Sequence, residues 1–368
     1  MYKDLYLSTK IISGENCVKE NENIFASFGR KCLIVTSKTG AIKSGALHDV
    51  TASLDRLNIS YEVFDEIREN PLVSTVIEGG KKARAFGADF IIGIGGGSPL
   101  DGAKAVAICA LNPEFDIDGL YNRQIPAKAL PVILIGTTSG TGSEVTGVSV
   151  LTNDKNMQKK SISGADCYAA VCFCDAKYTH SMNYDITVST ALDAFAHAVE
   201  GYFSGRFNSL ANIYAEKAIP MLYKALKALN ESNNEPSDEM REQLFVGSLY
   251  AGMELNICGA AFPHTVGYVL TEEFGVPHGK ACTAFMPLLL MKAKRGDVEK
   301  FHMFLRLVGE NEEKVINTIK SLTNVKIEAS DEDIEKWCSR WANGNKNFDN
   351  SPGGFDYKEA EKAIKDLR

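Results

Sequence analysis

Residues 89–110 read DFIIGIGGGSPLDGAKAVAICA, and the stretch has three parts. DFIIGIG is a short apolar, β-branched run, the signature of a parallel strand buried on both faces. Gly95, Gly96 and Gly97 follow as a tight turn. PLDGAKAVAICA then reads as a helix, with Pro99 suited to its first position and Ser98 to its N-cap. A strand, a glycine turn and a helix N-terminus make an anion site. Backbone N–H groups and the positive end of the helix dipole face the anion, and absent Cβ atoms let it approach. The spacing is neither G-x-G-x-x-G nor the P-loop pattern, and glycines also serve ordinary tight turns.

The surrounding sequence alternates in the same way. KCLIVTS, SYEVFDEI, DFIIGIG and PVILIG read as strands. GALHDVTASLDRL, VSTVIEGGKKARAFG and LDGAKAVAICAL read as helices between them. That order predicts a Rossmann-like parallel sheet covered on both faces. VSVLT and KKSIS bracket the turn NDKN as a hairpin, and AAVCFCD is a last strand. Beyond about residue 182 strand signals nearly vanish. Residues 188–204, 209–230, 238–256 and 280–295 read as helices, with SNNEPSD as a surface loop. NGNKNFDNSPGGFD reads as a polar loop before a last amphipathic helix, YKEAEKAIKDL. The expected layout is an α/β dinucleotide-binding domain over 1–182 and an all-helical metal-binding domain over 183–368, with the active site in the cleft between them.

Two further stretches carry chemistry. GTTSGTGSEVTG, residues 136–147, follows a strand and is dense in hydroxyls and glycine, the kind of loop that binds ligands at the carboxyl ends of parallel strands. TALDAFAHAVEGY places Asp193 and His197 four apart on one helix face. His264 follows in GAAFPHTVGY and His278 in FGVPHGKAC. Taken singly, each is readable as a helix cap or a satisfied core group. Together, one carboxylate and three imidazoles form a complete shell for Fe²⁺ or Zn²⁺. A structural zinc site is usually cysteine-rich, and this set has no thiolate.

Bulk properties exclude other classes. A net charge of −7 without a basic run argues against nucleic acid or an anionic membrane as partner. No apolar run approaches a membrane span, MYKDLYLSTK is not a signal peptide, and the chain is expected in the cytoplasm. The nine cysteines form no Cys-x-x-Cys pair and are expected as buried, reduced thiols. Cys172 and Cys174, on the strand VCFCD, are expected on opposite faces.

GGGSPLDGAKA, TTSGTGSEVT, DAFAH, FPH and VPHGKA, in this order, resemble the iron-dependent (group III) alcohol dehydrogenase family. The motifs span residues 95–282, and the layout on either side fits as well. The resemblance implies an NAD(P)-dependent oxidoreductase moving a hydride between the cofactor and a primary alcohol or aldehyde. It implies a homodimer, with Fe²⁺ or else Zn²⁺ held by Asp193, His197, His264 and His278. Gly96, Gly97 and Ser98 would hold the pyrophosphate. Thr137, Thr138, Thr141 and Ser143 would line the adenosine side, with Asn70 near it. Lys160 would reach the ribose region, and Asp101 would face the nicotinamide.

Two positions depart from the family pattern. A second histidine, four residues after the third ligand, is here Tyr268, so a phenol, a ribose hydroxyl or water takes the proton-relay role. The aspartate that ends the first strand in NAD-preferring members is here Ser37, followed by Lys38, which permits NADP. Other readings of the scaffold are a glycerol, hydroxybutyrate or maleylacetate type of dehydrogenase, or a nucleotide-binding protein without activity. Dehydroquinate synthase chemistry is disfavoured by the ligand set.

Overall fold

The computed structural model describes residues 5–232 and 234–368. The readings made above for residues 1–4, and for Asn233 within SNNEPSD, lie outside them. The chain forms two compact units: one of Leu7–Met182, the other of Asn183–Arg368 together with Leu5 and Tyr6.

The first unit is built on a six-stranded, fully parallel sheet. Its strands are β1 (Lys10–Ser13), β2 (Lys31–Thr36), β3 (Ser60–Phe64), β4 (Phe90–Gly95), β5 (Val132–Gly136) and β8 (Val171–Cys174). The spatial order is β1-β8-β5-β4-β2-β3. β6 (Val148–Thr152) and β7 (Lys159–Ser163) form a separate antiparallel hairpin. β2, β4, β5 and β8 are buried almost throughout, as their continuous apolar runs require. The chain order reverses between β2 and β4, and the carboxyl ends of those strands flank the crevice where such sheets take ligands.

β4 opens directly into helix Gly97–Leu111. Gly96 is its N-cap, so the helix starts before Ser98, and Pro99 is its third residue rather than its first. This shift is cheap: no residue of the first turn has an intrahelical acceptor for its N–H, so the missing donor of proline costs nothing there. From Pro99 to Ala110 the helix is buried all round, Lys104 included. Cys172 and Cys174 share one face of β8, with their sulfurs 3.6 Å apart. The side-chain period of a strand is two, so positions i and i+2 point the same way and the opposite-face expectation fails. All nine cysteines are free and buried.

The second unit is helical. Its central helix, Tyr184–Tyr202, is capped by the Asn183 side chain, which accepts from Ile186 N–H at 3.0 Å. Helices Asn212–Ser232 and Asp238–Cys258 pack against it, followed by Phe262–Phe274 and the short His278–Thr283. The single helix expected over 280–295 is broken at Ala284 and Phe285, and Met286–Gly296 starts afresh with Pro287 in its first turn. A proline disfavours helical backbone at the residue before it and fits a first turn, so it marks a boundary here. The polar stretch 343–356 is not a plain loop: it contains helix Lys346–Asp349, and Asn350 and Ser351 are buried. No single helix among the described residues is long and apolar enough to cross a membrane.

Candidate active site

The ligand side chains come from three helices of the second unit. Asp193 and His197 lie one turn apart in the middle of Tyr184–Tyr202, so Asp193 is no cap. His264 sits in the first turn of Phe262–Phe274, and His278 opens His278–Thr283. Two glycines bring these helices together. A Cβ on Gly279 would lie 1.8 Å from the Ser189 carbonyl oxygen, and one on Gly267 would lie 2.7 Å from Cys282 Cα. Only glycine permits backbone contact this close.

The three imidazoles converge on one carboxylate oxygen. Asp193 Oδ1 is 3.3 Å from His264 Nε2, 3.7 Å from His197 Nε2 and 3.7 Å from His278 Nε2. Metal–ligand bonds of about 2.1 Å at tetrahedral angles give donor–donor edges of about 3.4 Å. Asp193, His264 and His278, with Cys282, have donor atoms all within 4.8 Å of one another and could hold a metal ion, while His197 lies outside that group although its Nε2 is 3.7 Å from the shared oxygen. Asp193, His197 and His264 are buried, whereas the His278 side chain is 28% exposed, which leaves one open wall.

Electrostatics agree. Burial alone would raise the Asp193 carboxyl, but His197, His278 and His264 outweigh it and hold the group well below the usual carboxylate range. His264 is pushed the other way. Burial would lower it, yet Cys282, Glu200 and Asp193 raise its proton affinity well above that of an ordinary imidazole, so a metal ion entering here displaces a proton.

Glu200 sets the orientation of His264. It lies seven residues after Asp193, on the same helix face. Glu200 Oε1 is 2.6 Å from His264 Nδ1, and its Oε2 accepts from Ala261 N–H at 2.7 Å. A carboxylate on Nδ1 fixes the proton there and leaves the Nε2 lone pair facing Asp193. Helix Phe262–Phe274 has no side-chain cap of its own. Glu200 fills that role, together with Ser351 Oγ, which accepts from Phe262 N–H at 2.9 Å. Asn350 Nδ2 donates to the carbonyls of Cys258 (3.0 Å) and Ala260 (2.8 Å), holding the chain just ahead of His264. The ring of Tyr268 stacks on His278 with centroids 5.7 Å apart, and burial raises its phenol above the ordinary range.

In the first unit, parallel pairing sets Gly95 beside Gly136, so the glycine turn and the hydroxyl loop start side by side. Thr137 N–H donates to the Gly95 carbonyl at 2.9 Å. Thr138 and Thr141 cover the turn: a Cβ on Gly96 would lie 3.1 Å from Thr138 Cγ2, and one on Gly97 2.5 Å from Thr141 Cγ2. Asn70, with a left-handed φ of 56°, donates its N–H to Ser98 Oγ at 3.3 Å. Asn70, Gly96, Gly97, Ser98, Thr137, Thr138 and Thr141 thus form one cluster. Ser37 follows β2, pairs with Glu66 and is half-buried, while Lys38 is exposed. Lys160 lies on β7 with its ammonium 4.6 Å over the Tyr121 ring.

Asp101 and Ser143, read above as cofactor contacts, are engaged in a buried hydrogen-bond network. Asp101 accepts from Ser143 Oγ at 2.6 Å and from Val150 N–H at 2.9 Å. Lys104 Nζ donates to Ser143 Oγ (2.9 Å) and to the carbonyls of Thr146 (2.9 Å) and Val148 (2.7 Å). Asp101, Lys104 and Ser143 are therefore a buried brace between the phosphate helix, the hydroxyl loop and the hairpin. Their polar atoms are engaged because an unpaired buried charge costs several kcal/mol. Glu200, Lys104 and Cys282, which lies one turn after His278, were not singled out from sequence. Helical spacing from His197 and His278 is the signal that marks the first and last.

A glycine turn at a helix N-terminus on a parallel sheet and a carboxylate–imidazole cluster on a helical unit fit a metal- and dinucleotide-dependent oxidoreductase. Residues 8–176 match the model for iron-containing alcohol dehydrogenases, and 187–335 match the C-terminal domain model of the same family. Lactaldehyde reductase of Escherichia coli is 30% identical over 82% of this chain and 77% of its own. Sulfoacetaldehyde reductase of Bilophila wadsworthia is 33% identical over 77% and 72%. A crystal structure of an iron-containing alcohol dehydrogenase from Thermotoga maritima superposes with a TM-score of 0.91 at 34% identity, covering 100% of this chain and 99% of that one. Sulfoacetaldehyde reductase from Bifidobacterium kashiwanohense, solved in complex with NAD⁺, superposes at 0.88 with 26% identity over 100% and 99%. The chain belongs to the iron-containing alcohol dehydrogenase family. It is an NAD(P)-dependent oxidoreductase of alcohols and aldehydes, and iron is the family's metal.

Proposed function

We propose that this enzyme interconverts a small primary alcohol and its aldehyde, with the metal held by Asp193, His197, His264 and His278. The observation that carries the reading is the convergence of three imidazole nitrogens on Asp193 Oδ1. A divalent ion held there would supply Lewis acidity toward the substrate oxygen. Glu200 keeps His264 in the ligating tautomer. Tyr268, neutral at working pH and stacked on His278, is placed to hold or pass a proton at its hydroxyl. Gly96, Gly97 and Ser98 take the cofactor pyrophosphate at the helix N-terminus, with Asn70 and Thr137, Thr138 and Thr141 around it. Lys160 serves the ribose side, and Asp101 and Ser143 act by bracing the loop. Ser37 and Lys38 admit the 2′-phosphate of NADP.

Names of relatives such as lactaldehyde reductase, sulfoacetaldehyde reductase and 1,3-propanediol dehydrogenase favour a short, polar substrate. The domain reading is 1–182 for the cofactor and 183–368 for the metal. Nine buried free thiols suit a reducing cytoplasm, and β1 leaves a sheet edge open for a homodimer, which light scattering tests. The decisive experiment screens short aldehydes with NADH and NADPH, using chelator-stripped enzyme reloaded with Fe²⁺ or Zn²⁺. His264→Ala is expected to lower metal content and turnover together. Full activity in stripped enzyme would overturn the reading.

A further inference from the structure

The ligand pocket holds one donor more than the family shell uses. Cys282 is one turn beyond His278 on the same short helix. Its Sγ is 3.5 Å from His278 Nδ1 and 3.8 Å from His278 Nε2, and it also meets His264. The sulfur and the donor atoms of Asp193, His264 and His278 all lie within 4.8 Å of one another. The backbone at this point cannot drift, because Gly267 packs against Cys282 Cα without room for a Cβ. Bonds of about 2.3 Å to sulfur and about 2.1 Å to nitrogen give a sulfur–nitrogen edge of about 3.6 Å. The 3.8 Å from the sulfur to His278 Nε2, the nitrogen that faces Asp193, is close to that edge.

We propose that Cys282 is a fifth protein donor, entering the coordination sphere of thiophilic divalent ions such as Co²⁺, Zn²⁺ and Cd²⁺. The step balances: the S–H bond breaks, a sulfur–metal bond forms and the proton leaves to solvent, with no change of oxidation state. Thiolate is a soft ligand, so the preference of the site shifts toward thiophilic ions relative to a pocket of one carboxylate and three imidazoles. The proposal rests on the reading of these residues as the metal centre.

Cobalt separates the two claims. Co²⁺ is titrated into metal-stripped full-length wild type and Cys282→Ser, and absorption is recorded from the near ultraviolet through the visible. Wild type is expected to show an intense near-ultraviolet thiolate-to-cobalt band, and Cys282→Ser to bind cobalt with visible bands but without it. Identical near-ultraviolet spectra would overturn the role of Cys282 alone. No cobalt binding by wild type would overturn the metal centre itself. Cadmium NMR on wild type makes the test independent of the variant's folding. A shift in the range of sulfur-ligated sites supports the proposal, and one typical of nitrogen and oxygen ligands alone refutes it.

Discussion

Glu200 shows how a residue that touches neither cofactor nor substrate can decide a site. Its two oxygens are used on His264 Nδ1 and on the Ala261 N–H, so it fixes both a ligand and the start of that ligand's helix. Glu200→Gln keeps an acceptor but loses the charge, while Glu200→Ala loses both. Metal affinity, measured by chelator competition, is expected to fall by about 10–100-fold in the alanine variant and by less in the glutamine variant. Equal losses would mean that the carboxylate acts only as a spacer. Ser37 is the second residue with a sharp test. An aspartate there faces a 2′-phosphate with like charge, so Ser37→Asp is expected to move the kcat/KM ratio toward NADH. An unmoved ratio would place the ribose elsewhere. Asp193, His197, His264 and His278 stood out in the sequence because histidine is scarce here and the motifs are ordered. Glu200 and Cys282 were not, because each looks like an ordinary helix residue until three helices meet.

At the scale of elements, the alternating first half was legible because buried parallel strands and their helices carry distinct apolar periods. β1 was missed because KIIS is an exposed edge strand with no buried run. The break at Ala284 and Phe285 was missed because apolar helical spacing runs straight through it. The phosphate helix holds the most consequential hidden device. Lys104 is fully buried and ties that helix to the hydroxyl loop and the hairpin. Lys104→Met keeps the volume but leaves Asp101 as an uncompensated buried charge. A loss of about 3–5 kcal/mol is expected, or roughly 10 °C in Tm for a domain of this size, read by calorimetry together with weakened cofactor binding. A drop of only a degree or two would show the brace to be dispensable.

Across the whole molecule, pH sensitivity has a source away from the chemistry. Glu254 is fully buried in the helical unit, where its oxygens find no nitrogen or hydroxyl donor and only the weak thiol of Cys258. Burial raises its carboxyl from 4.5 to about 7. The native state therefore holds a proton that the unfolded chain has released, and stability falls as pH rises through that window. The full penalty, about 3 kcal/mol, is present above it. Glu254→Gln removes the ionisation, so its stability relative to wild type is expected to improve between about pH 5 and pH 8 in denaturant melts. A constant difference would refute the assignment. The tail around Asn350 and Ser351 has a consequence of another kind. These two residues clamp the segment that presents His264, yet they lie more than eighty residues later in the chain. A chain cut before Asn350 would carry all four donors yet lack the clamp on the third, so its metal affinity by chelator competition is expected to fall below that of the full chain.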